Sequence, residues 1–162
     1  MAKRVTEKPI LLTDSAEKQG WTFIENDTFA ASVVANLQDG DYSIDGLQDK
    51  SFIYIEKKSG FGELAGNLFS KADRDRFKDC LERTRIYKYK FIIVEENLND
   101  IYFSIALKKM HIKADALLAK IIEISLEYNI SFVFAGKLAK MYTLSLLKRI
   151  WELYQKEIKN NV

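Results

Sequence analysis

The sequence predicts an α/β domain in which a mixed central sheet is flanked by helices. Short runs of β-branched and aromatic residues dominate the first third of the chain. Segments with the apolar spacing of helices follow, and they alternate with further short apolar runs. Hydrophobic residues make up 48% and charged residues 30% of the 162 residues, which is the balance of a folded protein with one core. We therefore expect a single domain over residues 1–162.

Apolar runs in the first part of the chain predict strands at residues 9–13, 30–37, 42–44 and 51–55. The last run is the clearest, because every residue after Ser51 is aromatic or β-branched. Turns are expected at Asp39-Gly40 and at Asp45-Gly46, since Asp-Gly pairs between β-like runs are typical of turns. The second turn would join two neighbouring strands.

The remainder of the chain predicts helices that alternate with strands. Gly60 and Gly62 end the fourth strand. An amphipathic helix is expected at residues 72–86, with an apolar face of Phe77, Leu81 and Ile86, and a charged face that is solvated or binds an anion. The other expected elements are a short helix at 63–69, strands at 91–94 and 131–135, and helices at 114–128 and 139–158. This order predicts a mixed sheet with helices packed on it.

Composition argues against several classes of protein. No apolar run approaches the roughly 18 to 20 residues of a membrane span, and the N-terminus lacks the apolar segment of a secretory signal. We expect a protein with no membrane partner that is not secreted, either cytoplasmic or, in a eukaryote, nuclear. Cys80 is the single cysteine and His111 the single histidine, which argues against disulfide, zinc and thiol chemistry. Glycine-rich motifs for dinucleotides and nucleoside triphosphates are absent from the sequence.

Charge is unevenly distributed along the chain, although the net charge is only +2. Residues 1–55 carry nine acidic and five basic side chains, whereas residues 70–90 carry eight basic and four acidic ones. An acidic site could therefore face a basic flank.

Asp41, Glu56 and Lys58 form the candidate site. Phosphodiester hydrolysis needs a divalent cation, and Mg²⁺ prefers oxygen ligands, so at least two carboxylates must converge. Asp41 and Glu56 lie fifteen positions apart, on either side of the Asp45-Gly46 turn. Lys58 shares a face with Glu56 because side chains alternate along a strand, and its ammonium can orient water or offset transition-state charge. On the pattern alone, a solvated strand end with ordinary surface charges is an equally open interpretation.

Several motifs carry a resemblance to a known family. Gly40-Asp41-Tyr42 resembles the Gly-Asp element of the XPF-type endonuclease domain, and Glu56-Lys57-Lys58-Ser59 resembles its Glu-Arg-Lys element. That domain is a branch of the PD-(D/E)XK nuclease superfamily, which also includes the Mus-type and archaeal Hef nucleases. The resemblance covers residues 10–158 and extends to Asp14-Ser15-Ala16-Glu17, Trp21-Thr22-Phe23, Arg76-Phe77, Leu81-Glu82-Arg83 and residues 91–95.

The resemblance implies a restriction-endonuclease-like fold and a DNA endonuclease that uses Mg²⁺ or Mn²⁺ as its cofactor. Asp41 and Glu56 would be the principal metal ligands, and the backbone carbonyl of Lys57 would be a third. Lys58 would assist the attacking water. The catalytic group would thus comprise Asp41, Glu56 and Lys58.

Further roles follow from the same resemblance. Asp14 and Glu17 would lie outside the first metal's ligand set or would bind a second metal. Glu63 would contact the metal ligands without binding the metal. DNA would be contacted by Lys57, Arg74, Arg76, Arg83 and Arg85.

Three departures from the family pattern keep a second hypothesis open. Lys57 and Ala16 stand where the family has arginines, and the acid expected at position 62, which is Gly62 here, comes one position later as Glu63. A non-catalytic DNA-binding or scaffold subunit with a degenerate nuclease fold would explain them. A restriction-type or repair nuclease of the wider superfamily would share the site and differ in substrate.

Substrate and assembly are expectations from the resemblance. Relatives that select branched DNA commonly carry helix-hairpin-helix modules, and we expect none in this chain. The resemblance implies action on DNA in repair or recombination, and it leaves branched or flapped DNA and plain duplex open as substrates. Binding would be helped by the basic helix, a second copy or a partner subunit. The closing helix has an apolar face that suits either the core or a dimer interface, and that face comprises Leu144, Leu147, Ile150, Trp151 and Tyr154.

Overall fold

A computed structural model of the protein describes residues 8–160, which form a six-stranded mixed sheet with helices on both faces. The strands are β1 (Ile10–Asp14), β2 (Ala31–Ala35), β3 (Tyr42–Ile44), β4 (Ile53–Lys58), β5 (Tyr89–Val94) and β6 (Ser131–Phe134). The helices are α1 (Phe61–Phe69), α2 (Lys71–Arg83), α3 (Ile105–Lys109), α4 (Ala114–Tyr128) and α5 (Ala139–Asn160). Short 3₁₀ helices cover Thr84–Ile86, Leu98–Phe103 and Gly136–Leu138. The predicted fold class is confirmed.

The strand order is β2-β1-β3-β4-β5-β6. β3 pairs antiparallel with both β1 and β4, whereas β1 with β2, β4 with β5, and β5 with β6 pair in parallel. The strands on either side of the Asp45-Gly46 turn are neighbours, as the sequence predicts. The turn at Asp39-Gly40 is no hairpin, because β1 lies between β2 and β3.

Two hydrophobic cores cover the two faces of the sheet. Alternation along β5 sends Ile92 and Val94 to one face, where they pack with α1, α2 and α4. Ile93 points to the other face, where Ile53 and Ile55 of β4 pack against α5. Strand residues between these aliphatic positions are therefore sorted by face, and this sorting positions the candidate site.

The closing helix α5 packs on the core with its predicted apolar face. Leu147 and Ile150 are fully buried, and Leu144, Trp151 and Tyr154 are partly buried against the same core. Packing against the sheet therefore accounts for this face, and a dimer interface there stays a prediction.

Three segments differ from the sequence predictions. The helix expected at residues 72–86 ends at Arg83, and the 3₁₀ helix that follows leaves Ile86 64% exposed instead of on the apolar face. The strand expected to end at residue 55 continues to Lys58 in β4, and residues 98–109 form a 3₁₀ helix and α3 that were not predicted. The extension of β4 and the helices at residues 98–109 are too short to show a reliable apolar period.

The first seven residues, where a secretory signal was not expected, lie outside the described residues. Among residues 8–160, no helix has the length and apolar character needed to cross a membrane.

Candidate functional site

Asp41 is positioned at the start of β3 by close contact with β4. Its backbone N–H donates to the carbonyl of Ile55 at 2.7 Å, and its carboxylate Oδ2 accepts from the Lys57 N–H at 2.6 Å. Gly40 allows this approach, because it has a φ of 77° and a Cβ there would lie 2.8 Å from the Ile55 carbonyl oxygen. The Gly-Asp sequence thus places a carboxylate beside the end of β4.

Glu56 and Lys58 lie on one face of β4, here called the groove face, as strand alternation predicts. The ammonium of Lys58 contacts Glu56 Oε1 at 2.7 Å and Glu63 Oε1 at 3.3 Å. Glu63, in the first turn of α1, is itself held by the N–H and hydroxyl of Ser59, both at 2.8 Å. The structure therefore brings Glu63 to the same cluster through Lys58.

Tyr54 extends the groove face by one more residue. Its hydroxyl donates to Glu56 Oε2 at 3.0 Å and lies 3.4 Å from the Cys80 sulfur on α2. Burial and the neighbouring Glu56 carboxylate raise the pKa of Tyr54 above its ordinary value, so the hydroxyl keeps its proton. Neither Tyr54 nor Cys80 was predicted for the site, although strand alternation puts Tyr54, two positions before Glu56, on the same face as Glu56.

These side chains open into a groove of about 470 Å³ between the ends of β3 and β4 and the helices α1 and α2. Seven residues predicted for the site line it, namely Asp14, Asp41, Glu56, Lys58, Glu63, Arg76 and Arg83. The two carboxylate oxygens of Asp14 accept from the Ala16 N–H at 3.1 Å and the Leu37 N–H at 2.9 Å. Asp14 therefore orders the loops around the groove.

Negative charge exceeds positive charge inside the groove. Burial, followed by repulsion from Glu56, raises the pKa of Asp41 to about 8, although the Lys57 N–H opposes the rise. Burial alone would lower the pKa of Lys58, but attraction to Glu56 and Glu63 outweighs burial and raises it. Of Asp41, Glu56 and Glu63, Asp41 is thus the one that forms no ion pair with Lys58.

Lys57 and Glu17 lie on the opposite face of β4. The Lys57 ammonium is 3.6 Å from Glu17 and 3.4 Å from Glu95, donates to the Gln19 carbonyl at 3.2 Å, and lies over the Trp21 ring at 5.5 Å. With 5% of the residue exposed, this side chain does not face the groove. Its placement gives no support to Lys57 as a DNA contact or to Glu17 as a metal ligand.

Two of the four predicted DNA-binding arginines line the groove, and the other two do not. Arg83 pairs with the buried Asp39 at 2.7 Å and Arg76 pairs with Asp73 at 2.8 Å, and both arginines line the groove. Arg85 instead lies 4.4 Å from the centre of the Tyr128 ring, away from the groove. The remaining arginine, Arg74, lines a separate cavity between α2 and α4.

The donor atoms at the end of β4 suit a small hard cation. Within residues 8–160, no three His, Cys, Asp or Glu side chains are grouped for metal binding. Mg²⁺, however, is commonly bound by one or two carboxylates and keeps several waters. The Lys57 N–H points to Asp41, and the N–H and C=O of one strand residue point to the same side, so the Lys57 carbonyl also faces Asp41. Asp41, Glu56 and this carbonyl fit the predicted ligand set, and a cation would relieve the carboxylate repulsion.

Comparison with solved structures identifies the fold. A structure of XPF from Aeropyrum pernix matches with a TM-score of 0.58 and 18% identity, over 90% of this chain and 61% of that one. XPF from Aeropyrum pernix in complex with DNA matches with a TM-score of 0.57 and 18% identity, over 90% of this chain and 66% of that one. The chain has an XPF-like nuclease fold.

This finding confirms the fold that the sequence motifs predicted. The chain spans 61% and 66% of the length of these two XPF chains. No protein-family model and no curated protein matches the sequence. The likeness is therefore one of fold, and the chemistry of the groove has to be argued from its own residues.

Proposed function

We propose that this chain is a DNA endonuclease that hydrolyses phosphodiester bonds with Mg²⁺ or Mn²⁺. The observation that carries the proposal is the convergence of Asp41, Glu56 and Lys58 in one groove, with the Lys57 backbone bound to Asp41 at 2.6 Å. Two convergent carboxylates can hold the cation that metal-assisted phosphodiester hydrolysis uses, and a lysine beside them can stabilise negative charge that develops in the transition state. The XPF-like fold around them supports the same activity.

Each residue has a distinct task in this proposal. Asp41, Glu56 and the Lys57 carbonyl would hold the cation, which supplies an acidified water and neutralises charge on the phosphate. Lys58, anchored between Glu56 and Glu63, would orient the attacking water and offset negative charge in the transition state. The burial of this cluster strengthens those electrostatic interactions.

DNA is the proposed substrate for two reasons. Arg76 and Arg83 lie at the same groove as the carboxylates, so a phosphate backbone bound by the arginines would pass the proposed cation site. One of the matching solved structures is XPF bound to DNA. Branched or flapped DNA, an action in repair or recombination, and assistance from a second copy or a partner subunit belong to the same proposal.

A non-catalytic DNA-binding or scaffold subunit is the second candidate. The observation that favours it is the ion pairing of Lys58 to both Glu56 and Glu63, since this lysine already offsets part of the carboxylate charge that a cation would neutralise.

Metal binding and cleavage separate the two candidates. Purified full chain is titrated calorimetrically with Mn²⁺ and Mg²⁺, and is incubated with end-labelled linear, flapped and forked DNA. We expect cation binding, cleavage of at least one DNA, and loss of both in Glu56→Gln, which keeps the volume of the side chain and removes its charge. If the wild-type chain binds DNA but neither cation and leaves all DNA intact, the scaffold candidate replaces the endonuclease. Cleavage that survives in Glu56→Gln would show that the activity arises elsewhere.

A further inference from the structure

Tyr54 is a fully buried tyrosine whose single polar atom is directed at the candidate site. Tyr54 is 0% exposed, and its ring packs against the ring of Tyr87 with the two ring centres 5.8 Å apart. A ring held in this way cannot turn its hydroxyl elsewhere without disturbing the core. The hydroxyl therefore has a fixed position relative to β4.

The hydroxyl completes the hydrogen bonding of Glu56. Lys58 contacts Oε1 at 2.7 Å, and Tyr54 donates to Oε2 at 3.0 Å, so each carboxylate oxygen has its own donor. The last torsion of a glutamate side chain is otherwise broad, and two donors on opposite oxygens restrict it. Each oxygen still has a free lone-pair direction, because an ionised carboxylate accepts about four hydrogen bonds.

Cys80 adds a third member to this chain of hydrogen bonds. The sulfur lies 3.4 Å from the Tyr54 oxygen, and the hydroxyl hydrogen is directed to Glu56. The thiol is therefore the donor in the Cys80–Tyr54 contact, and successive donors polarise one another. Helix α2, which bears Cys80, is thereby connected to the Glu56 carboxylate through Tyr54.

We infer that Tyr54 is a positioning residue, backed by Cys80, that fixes the Glu56 carboxylate in the orientation that binds the divalent cation. The inference rests on the proposed function. It gives a buried residue of the core a role in orienting one ligand of the cation. A carboxylate that is already oriented loses less freedom when it binds, so the cation is bound more tightly. A purely structural tyrosine would affect folding and leave cation affinity unchanged.

Tyr54→Phe tests the inference, with Tyr128→Phe as a matched control. Tyr128 is also buried and also donates to a glutamate, Glu82, at 2.7 Å, but this pair lies outside the groove. We expect Tyr54→Phe to bind Mn²⁺ about tenfold more weakly in calorimetric titration, the effect of one lost bond to a charged group. It should also lower kcat with little change in KM for DNA. Tyr128→Phe should retain the wild-type affinity for Mn²⁺.

The outcomes distinguish this inference from the proposed function. A wild-type chain that binds no Mn²⁺ overturns both. A wild-type chain that binds Mn²⁺ while Tyr54→Phe binds it equally well, or while Tyr128→Phe is weakened to the same degree, overturns the inference alone. Should Tyr54→Phe fail to fold, Cys80→Ala and Cys80→Ser decide. Alanine should weaken Mn²⁺ binding two- to threefold and serine less, because serine can still donate. Equal affinities in both cysteine variants and the wild type would overturn the inference.

Discussion

Lys57 and Lys58 are consecutive residues of β4 with the same exposure, 5%, and each contacts two glutamates. Lys57 lies on the opposite face among Glu17, Glu95 and the Trp21 ring, between the β1–β2 loop and the sheet. Lys58 lies on the groove face, where an additional carboxylate and open space adjoin it. The two lysines are alike in burial and pairing and differ in their surroundings.

The difference lies in Asp41. On the opposite face, one lysine is shared by two glutamates. On the groove face, Asp41 adds a carboxyl group whose pKa is raised to about 8 by burial and by Glu56. A third acid next to open space makes a site that a cation can occupy, whereas a buried lysine with two acids alone makes a structural contact.

The largest expected contrast comes from making the same substitution on both faces. Lys58→Met should lower cleavage about hundredfold or more, because it removes a charge that acts on the reacting atoms. Lys57→Met should leave the kcat of the folded protein within about threefold, since the backbone carbonyl is retained. It should instead reduce the free energy of unfolding by about 3 kcal/mol, because Glu17 and Glu95 lose their shared partner. Urea unfolding and single-turnover cleavage measure the two effects.

Both variants need a control for loss of folded protein. Cleavage is measured at a temperature at which circular dichroism shows each variant to be folded. If Lys57→Met lost cleavage as completely as Lys58→Met while remaining folded, the two faces would not be separable, and Lys57 would have to act on the substrate or on the cation.

A medium effect is expected from the titration of Asp41. Its pKa is about 8 in the folded protein and near 3.8 when unfolded, so between these values the folded state binds the proton more tightly. Stability therefore falls as the pH rises from about 5 to about 8, by on the order of 3 to 4 kcal/mol. The acids with lowered pKa, such as Glu63, act below this window and do not offset the fall.

Thermal unfolding without divalent cations, at several pH values, measures this slope. Asp41→Asn should remove most of it, because the amide oxygen can still accept from Lys57 and carries no charge at any pH. Mg²⁺ added at pH 8 should stabilise the wild type more than Asp41→Asn. A melting temperature that rises from pH 5 to pH 8 in the wild type would contradict the charge imbalance assigned to the groove.

Local rules account for the parts of the site that the sequence predicted. Alternation along a strand placed Glu56 and Lys58 together, and the turn at Asp45-Gly46 placed Asp41 on the neighbouring strand. The same alternation puts Lys57 on the other face, and the resemblance to a family motif led to its prediction as a DNA contact. The backbone of Lys57 contacts Asp41, whereas its side chain pairs with Glu17 and Glu95 on the other face.

Long-range packing accounts for what the sequence did not predict. Cys80 meets Tyr54 only because α2 crosses the end of β4, a contact that spans 26 positions of the chain. Glu95 reaches Lys57 because β5 lies parallel to β4 and ends beside it. Strand periodicity gives the face of a residue, whereas its partners depend on which loops and helices cover that face.

The smallest expected effect would show from which side DNA approaches the groove. Arg76 and Arg85 can be compared, since their side chains are 79% and 46% exposed and both pair with an acid three positions earlier, at 2.8 and 2.7 Å. Arg76 lies on α2, whereas Arg85 lies in the 3₁₀ helix that follows α2 and also contacts Glu127 and the Tyr128 ring. Arg76 lines the groove and Arg85 does not. In a Glu56→Gln background, Arg76→Ala should weaken DNA binding a few-fold and reduce the salt dependence by about one phosphate contact. Arg85→Ala should change neither quantity, as measured by fluorescence anisotropy at several salt concentrations. If Arg85→Ala had the larger effect, DNA would bind on the far side of α2. The carboxylates of the groove face could not then reach its backbone.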